Sequence, residues 1–366
     1  MLWAVFTLIA AAAQTARNAM QRELTTTLGT VGATHVRFLF GFPFALFIFL
    51  PGVMLTAGYE WPSPPAVFWP WVLAGALTQI AATATMLSVM GERSFVVAYA
   101  YIKTEPVQVA LFGLIFLGDK ITPLSAAAIL IATAGVIVIS LKPGAAQMST
   151  MRSTIVGLFS GALFALSSIG YRGAILSLQL PHFVMAATFT LAVGLVMQAA
   201  LLSAWLAWRD PKVLHDIARA WRPSLFAGFM GAFASEFWFL AFAIATAANV
   251  RTLALVEVLF AQGVTRFVFK QPTTRRELAG VVLVVIGVAL LVWAYRSIVP
   301  AKAGTIDQIN SSRPAAPAAD GTRCLRRANP WLPAGWRRRR SSDGRSRRNA
   351  SCALLPGISR RRSRRS

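Results

Sequence analysis

Three carboxylates sit in the middle of long apolar runs: Glu105, Glu236 and Glu257. An ionised side chain in hydrocarbon costs about 2.5–3.5 kcal/mol on insertion scales, so it usually faces a cavity or a partner. Arg37, Lys103, Arg172, Arg251 and Arg266 share that situation, and Arg17 stands near the end of the first run. Around Glu105, helical geometry brings Tyr101 and Gln108 to within about 60° of the acid and puts Lys103 and Tyr99 on the opposite side. That face offers an acid, a phenol and an amide. The adjacent Pro106 lacks an N–H, frees a carbonyl and can bend the helix around a site. Such a group could bind a solute or a proton; equally, it could be an acid paired with an arginine to hold two helices together. Glu236 lies in Ala234-Ser235-Glu236-Phe237-Trp238. There an acid beside an aromatic suits an organic cation or amine. The alternative is a buried acid paired with Arg172 or Arg251. In the run that holds Glu257, the residues Arg251, Gln262 and Arg266 share a face from which Glu257 points away. The two arginines stand close enough to the run's ends to snorkel toward headgroups.

Several chemistries are absent from the pattern. There is no Gly-x-Ser-x-Gly, no His-Glu-x-x-His and no phosphate-cradling loop. His35, His182 and His215 are far apart, and the two cysteines, Cys324 and Cys352, both lie near the C-terminus. No nucleophile or metal constellation emerges. The chain is therefore read as no enzyme, with no cofactor, and any solute movement would draw on a gradient and not on ATP.

The elements that must position these groups are set by composition. Of 366 residues, 56% are hydrophobic and 13% charged, against roughly 25% charged in soluble domains. Mean hydropathy is +0.59. Apolar runs and polar breaks predict ten spans, near 2–21, 33–54, 68–90, 95–116, 123–141, 154–175, 183–208, 224–245, 249–269 and 278–297. The breaks are Leu28-Gly29-Thr30, Trp61-Pro62-Ser63-Pro64-Pro65, Gly91-Glu92-Arg93, Gly118-Asp119-Lys120 and Lys142-Pro143-Gly144. The first run lacks a basic n-region and reads as a span, not a cleaved signal. The loop from Arg209 to Pro223 is charged enough for a short amphipathic helix. The net charge of +23 is uneven: Met1 to Pro300 holds 19 Lys+Arg and 10 Asp+Glu, and the last 66 residues hold 17 and 3. Residues 298–366 read as a disordered Arg-rich tail. Such a tail is attracted to anionic lipid, binds nucleic acid non-specifically, or is an out-of-frame extension. No specific nucleic-acid partner is expected.

Shifting the sequence by 152 residues lays spans 4–5 on spans 9–10. Glu105 meets Glu257, Thr122 meets Thr274, and Gly135-Val136 meets Gly287-Val288. The expectation is an all-α polytopic membrane protein of two five-helix repeats, 1–142 and 154–297, joined by a linker at 143–153. Five helices is an odd number, so the second repeat would enter the membrane inverted. Inverted repeats build many secondary transporters, with the site at the repeat interface. A different reading is a membrane scaffold or assembly subunit whose basic tail binds lipid or RNA.

The layout resembles the EamA-like permeases of the drug/metabolite transporter superfamily. Three stretches carry the likeness: Gln14-Thr-Ala-Arg-Asn-Ala-Met-Gln21 with Leu28-Gly-Thr and Arg37-Phe; Phe116-Leu-Gly-Asp-Lys120; and Val250-Arg-Thr-Leu-Ala-Leu-Val-Glu-Val258. Asp119 departs from the Glu usual there, and Gln271-Pro272 stands at its repeat-mate. The resemblance implies a multi-pass protein of the inner or plasma membrane. It would move a small metabolite, amino-acid-like or drug-like solute, with protons as a candidate coupling ion, as monomer or homodimer. Candidate site residues are then Glu105, Glu236, Glu257, Tyr101, Gln108, Trp238, Arg37 and Arg172. The resemblance also implies both termini in the cytoplasm, whereas the Lys and Arg of the core loops follow the opposite orientation under the positive-inside rule.

Overall fold

A computed structural model describes residues 1–88, 95–140, 151–267, 270 and 274–311. The expected breaks at Gly91-Glu92-Arg93 and Lys142-Pro143-Gly144, both cysteines and the chain beyond Ser311 lie outside the described residues. Everything regular within them is helical. Helix α1 runs Leu2–Leu39, and α2 comprises Phe42–Phe44, a π-helical turn Ala45–Phe49 and Leu50–Ala57. Then come α3 (Phe68–Ser88), α4 (Phe95–Ile102), and α5 (Glu105–Phe112) with a π-helical turn at Gly113–Leu117. Next are α6 (Pro123–Ser140), α7 (Met151–Ser177), α8 (Phe183–Arg209) and α9 (Pro211–Arg219). The last four are α10 (Trp221–Ile244), α11 (Ala247–Leu253), α12 (Val256–Phe267) and α13 (Arg275–Ser311).

Among the described residues, eight helical stretches are long and apolar enough to cross a membrane. Eight of the ten expected spans are represented in this set. The spans near 2–21 and 249–269 are helical but are not among the eight. The break at Leu28-Gly29-Thr30 does not end the helix. It is a kink inside α1, where Gly29 takes φ 68° and ψ 178°, a backbone region essentially reserved for glycine. Arg17 therefore lies in mid-helix, not near a helix end. The amphipathic helix in the 209–223 loop is α9, with Ile217 buried. The Pro-rich break at Trp61 and the turn at Gly118 (φ 65°) are loops, as expected. Helix α13 continues beyond residue 297 to Ser311, into the stretch read as disordered tail.

Helix packing rests on small residues, because lipid tails offer no hydrophobic drive between helices and close backbone approach must supply it. A Cβ on Gly228 of α10 would stand 2.4 Å from Phe40 Cβ, just beyond α1. One on Gly170 of α7 would meet Gly75 N of α3 at 2.7 Å. The repeat-mates Gly135 and Gly287 both lie where α6 meets α13: their added Cβ atoms would fall 2.7 Å from Val284 N and 2.6 Å from Ala132 N. The repeat-mates Thr122 and Thr274 both cap the helix that follows. Thr122 Oγ1 accepts from Ser125 N at 3.2 Å, and Thr274 Oγ1 accepts from Glu277 N at 3.2 Å. Glu277 reaches back to Thr274 N at 2.9 Å, which completes a capping box. Outward-facing side chains are largely apolar, among them Phe47, Ile48, Leu55, Ile115 and Leu130. The exposed Trp61, Trp69, Trp208 and Trp221 stand near helix ends, where an aromatic belt meets the membrane interface.

Candidate functional site

Two helix discontinuities frame the centre of the bundle. The run read as span 4 breaks at Lys103–Thr104 between α4 and α5. Lys103 N donates to Tyr99 O, Thr104 N to Tyr101 O and Val107 N to Thr104 O, so the helix tightens into a turn and restarts. Pro106 supplies the local reason, since it cannot donate to Ile102 O and is tolerated only in a first turn. The run read as span 9 breaks at Ala254–Leu255 between α11 and α12 with the same bonding: Ala254 N to Val250 O, Leu255 N to Thr252 O, Val258 N to Leu255 O. The hydrogen-bond patterns coincide at an offset of 151, one less than the sequence offset. Glu105 is therefore the first residue of its new helix and Glu257 the second. Both acids sit at a helix N-terminus, where the peptide dipoles favour negative charge. No proline marks the second break.

The turn undoes the face assignment made from a continuous helix. Glu105 lines the central cavity together with Tyr99 and Lys103, whereas Tyr101 and Gln108 do not. Gln108 Nε2 is turned to Thr104 Oγ1 at 3.2 Å and Leu158 O at 3.4 Å. Arg251, expected to snorkel, is instead held at the centre. Its Nε and Nη2 each lie 2.5 Å from a Glu105 oxygen, a bidentate pair. Its guanidinium also stands 4.8 Å from the centroid of the Trp238 ring. Glu257 pairs with Lys103 and accepts from Gln14 Nε2 at 3.3 Å. Gln14 Oε1 in turn accepts from Trp238 Nε1 at 3.1 Å. The two ion pairs thus cross: Glu105, after the first break, is matched by Arg251 before the second, and Glu257, after the second, by Lys103 in the first. A smaller cavity of about 240 Å³ lies against Glu105, Arg251, Lys103 and Glu257, and shares the first three with the central one.

About 670 Å³ of space between atoms, part of it open to solvent, lies at the central cavity. Among the described residues its basic groups are Arg17, Arg37, Lys103 and Arg251, and its one acid is Glu105. Trp238, Phe239, Phe242, Phe164 and Met86 give it an apolar side, and Tyr171 stands against Phe239 with ring centroids 4.6 Å apart. Tyr171 fits because Gly75 and Gly194 flank it; a Cβ on either would come within about 3 Å of its ring.

Besides Tyr101 and Gln108, two more expected site residues lie elsewhere. Glu236 is not among the cavity residues. It pairs with neither Arg172 nor Arg251, but accepts from Thr188 Oγ1 of α8 at 2.6 Å. Arg172 is structural in its contacts: it donates to Phe242 O at 2.5 Å and to Ala245 O, where α10 ends, and meets Asp119 Oδ1 at 3.5 Å. Cations suit a helix C-terminus. Of the eight candidates, Glu105, Trp238 and Arg37 line the central cavity, and Glu257 lines the smaller one. Reading from sequence missed Gln14, Arg17, Tyr99, Lys103, Tyr171 and Arg251 as cavity residues.

An all-helical bundle with an apolar exterior, several membrane-long helices and charged groups turned inward defines a polytopic membrane protein. The model of the EamA-like transporter family matches residues 1–141 and again 151–293. The chain belongs to that family and is a permease of the drug/metabolite transporter type. A crystal structure of another protein aligns over 80% of this chain and 98% of its own, with a TM-score of 0.58 at 15% identity. At that identity the likeness shows the fold alone. None of the curated proteins compared matches the chain.

Proposed function

We propose that this chain is a secondary active exporter of a small metabolite, amino-acid-like or drug-like solute. It would work by alternating access, with the central cavity as the solute site and protons as the coupling ion. In this reading the ten spans form two inverted halves, 1–142 and 154–297, and the protein sits in the inner or plasma membrane as monomer or homodimer. The observation that carries the reading is the crossed pair of ion pairs. Glu105–Arg251 and Lys103–Glu257 tie the break in one repeat to the break in the other, at the boundary between the two cavities. Discontinuous helices at equivalent places in two halves are how many carriers build a site that opens to alternate sides. In the proposed cycle the pairs part as the halves rock, and a proton on Glu105 or Glu257 eases that parting.

The test is reconstitution in liposomes and a search of a metabolite panel for solute-dependent proton movement. Wild-type protein should couple a solute to protons, and Glu105→Gln should move that solute without the protons or not at all. Unaltered coupled flux in Glu105→Gln removes Glu105 from the mechanism. If no solute moves and cells need the chain beyond Ser311 for any phenotype, the scaffold reading replaces the transporter.

A further inference from the structure

The cations of the central cavity do not share one fate. Arg251 is matched by Glu105 and Lys103 by Glu257. Arg17 and Arg37 have no such match: no carboxylate among the described residues lies within ion-pair distance of either. Both are almost fully buried, at 4% and 3% exposure. Among the described residues, Arg17 bonds only its chain neighbour, through Nη2 to Asn18 Oδ1 at 2.7 Å, and its Nε and Nη1 meet no acceptor. Arg37 reaches Ser235 Oγ at 3.4 Å through Nη2, and its Nε meets no acceptor among them. An arginine stays charged under all physiological conditions, and buried N–H groups are nearly always bonded. Two buried guanidiniums with three idle nitrogens between them make an arrangement that lacks its anion.

The fold brings the two together on purpose-sized space. They lie on either side of the Gly29 kink in α1, and both stems converge on Gly231 of α10. A Cβ there would stand 3.2 Å from Arg37 Cγ and 3.6 Å from Arg17 Cδ. Trp238, on the same helix, lines the cavity as well.

We propose that the cavity takes an organic anion, its carboxylate or phosphate seated between Arg17 and Arg37 and its apolar part against the aromatic side. The inference rests on the reading of this cavity as the solute site. Planar guanidinium forks match the oxygens of either anionic group bidentately. The same charge balance excludes the organic cation that the Glu236-Phe237-Trp238 sequence suggested: Glu236 lies outside the cavity, and the face of Trp238 already carries Arg251.

The test is equilibrium binding of radiolabelled benzoate and phenyl phosphate to the purified full chain in detergent. Benzamide serves as the neutral isostere of benzoate, benzylamine as the cation, and inorganic phosphate as a competitor that lacks an apolar part. The expected result is that benzoate or phenyl phosphate binds at least about tenfold more tightly than benzamide and benzylamine. Arg17→Gln and Arg37→Gln should each remove that preference, while Arg17→Lys keeps part of it. Which of the two anions binds more tightly separates carboxylate from phosphate, and competition by inorganic phosphate alone shows how much of the site is the anion seat. Benzamide binding as tightly as benzoate, tighter binding of benzylamine, or no binding of either anion at millimolar concentration overturns the proposal. The wild-type comparison decides even where an arginine variant fails to fold. Anion-selective binding without flux in liposomes would leave this site standing and remove the transporter cycle. Coupled flux of neutral solutes with no anion preference would do the reverse.

Discussion

Glu105 shows what one residue can and cannot reveal about its role. As a mid-span acid it was legible as a group that faces a cavity or a partner, but which partner was not, because the partner's direction depends on a break in another helix. The bidentate contact to Arg251 places two charges, 9% and 13% exposed, at 2.5 Å. Removing one partner of such a pair leaves the other charged and uncompensated, at a cost of about 3–5 kcal/mol. Glu105→Gln and Arg251→Gln should each lower the melting temperature in detergent, and the double variant should fall by clearly less than the sum. Additive losses would show that the two side chains are not coupled. Arg172 should behave differently. Its bonds go to the Phe242 and Ala245 carbonyls and to Asp119, so Arg172→Gln should lower stability while the solute preference of surviving protein is unchanged. A changed preference in a flux assay would place Arg172 in the site after all.

At the scale of elements, the sequence marked small residues without saying which helix each one meets. Ala227, Gly231 and Ser235 recur at intervals of four on α10, and the surface they form is where α1 packs. The tightest point is Gly228, whose Cβ would overlap Phe40 at 2.4 Å. Gly228→Ala should destabilise the fold by about 1–3 kcal/mol, read as a drop in melting temperature. Gly263 has nothing within 4 Å of such a Cβ, so Gly263→Ala should be near neutral and serves as the control. Alanine is the better helix former, so propensity alone would raise stability at both positions; a Gly228→Ala protein as stable as Gly263→Ala would show that the approach to Phe40 is no constraint. Helix breaks were half legible. Pro106 announces the first in its own chemistry. The break at Ala254–Leu255 has no proline and no glycine; only its correspondence to the first break points to it.

For the whole molecule, one compact unit runs from Met1 to Asn310. A chain ending at Ser311 should fold, insert and keep whatever solute flux the full chain has, as size-exclusion profile and liposome assay would show. Loss of folding or flux would give the basic tail a role that the transporter reading does not need. The sequence by itself determined the class of this protein. Hydropathy, the scarcity of charge and the 152-residue likeness depend only on which residues stand where, and they identified a helical membrane protein built of two related halves. The tertiary structure decided which charges meet. Pairing depends on where helices break, kink and cross, and one turn at Lys103–Thr104 is enough to move Lys103 and Tyr99 from the far side of Glu105 to its own cavity. The kink at Gly29 likewise joins Arg17 and Arg37, twenty positions apart, over a single glycine of another helix. Local sequence carries no record of such a meeting, because its energy lies in contacts between segments more than 150 residues apart.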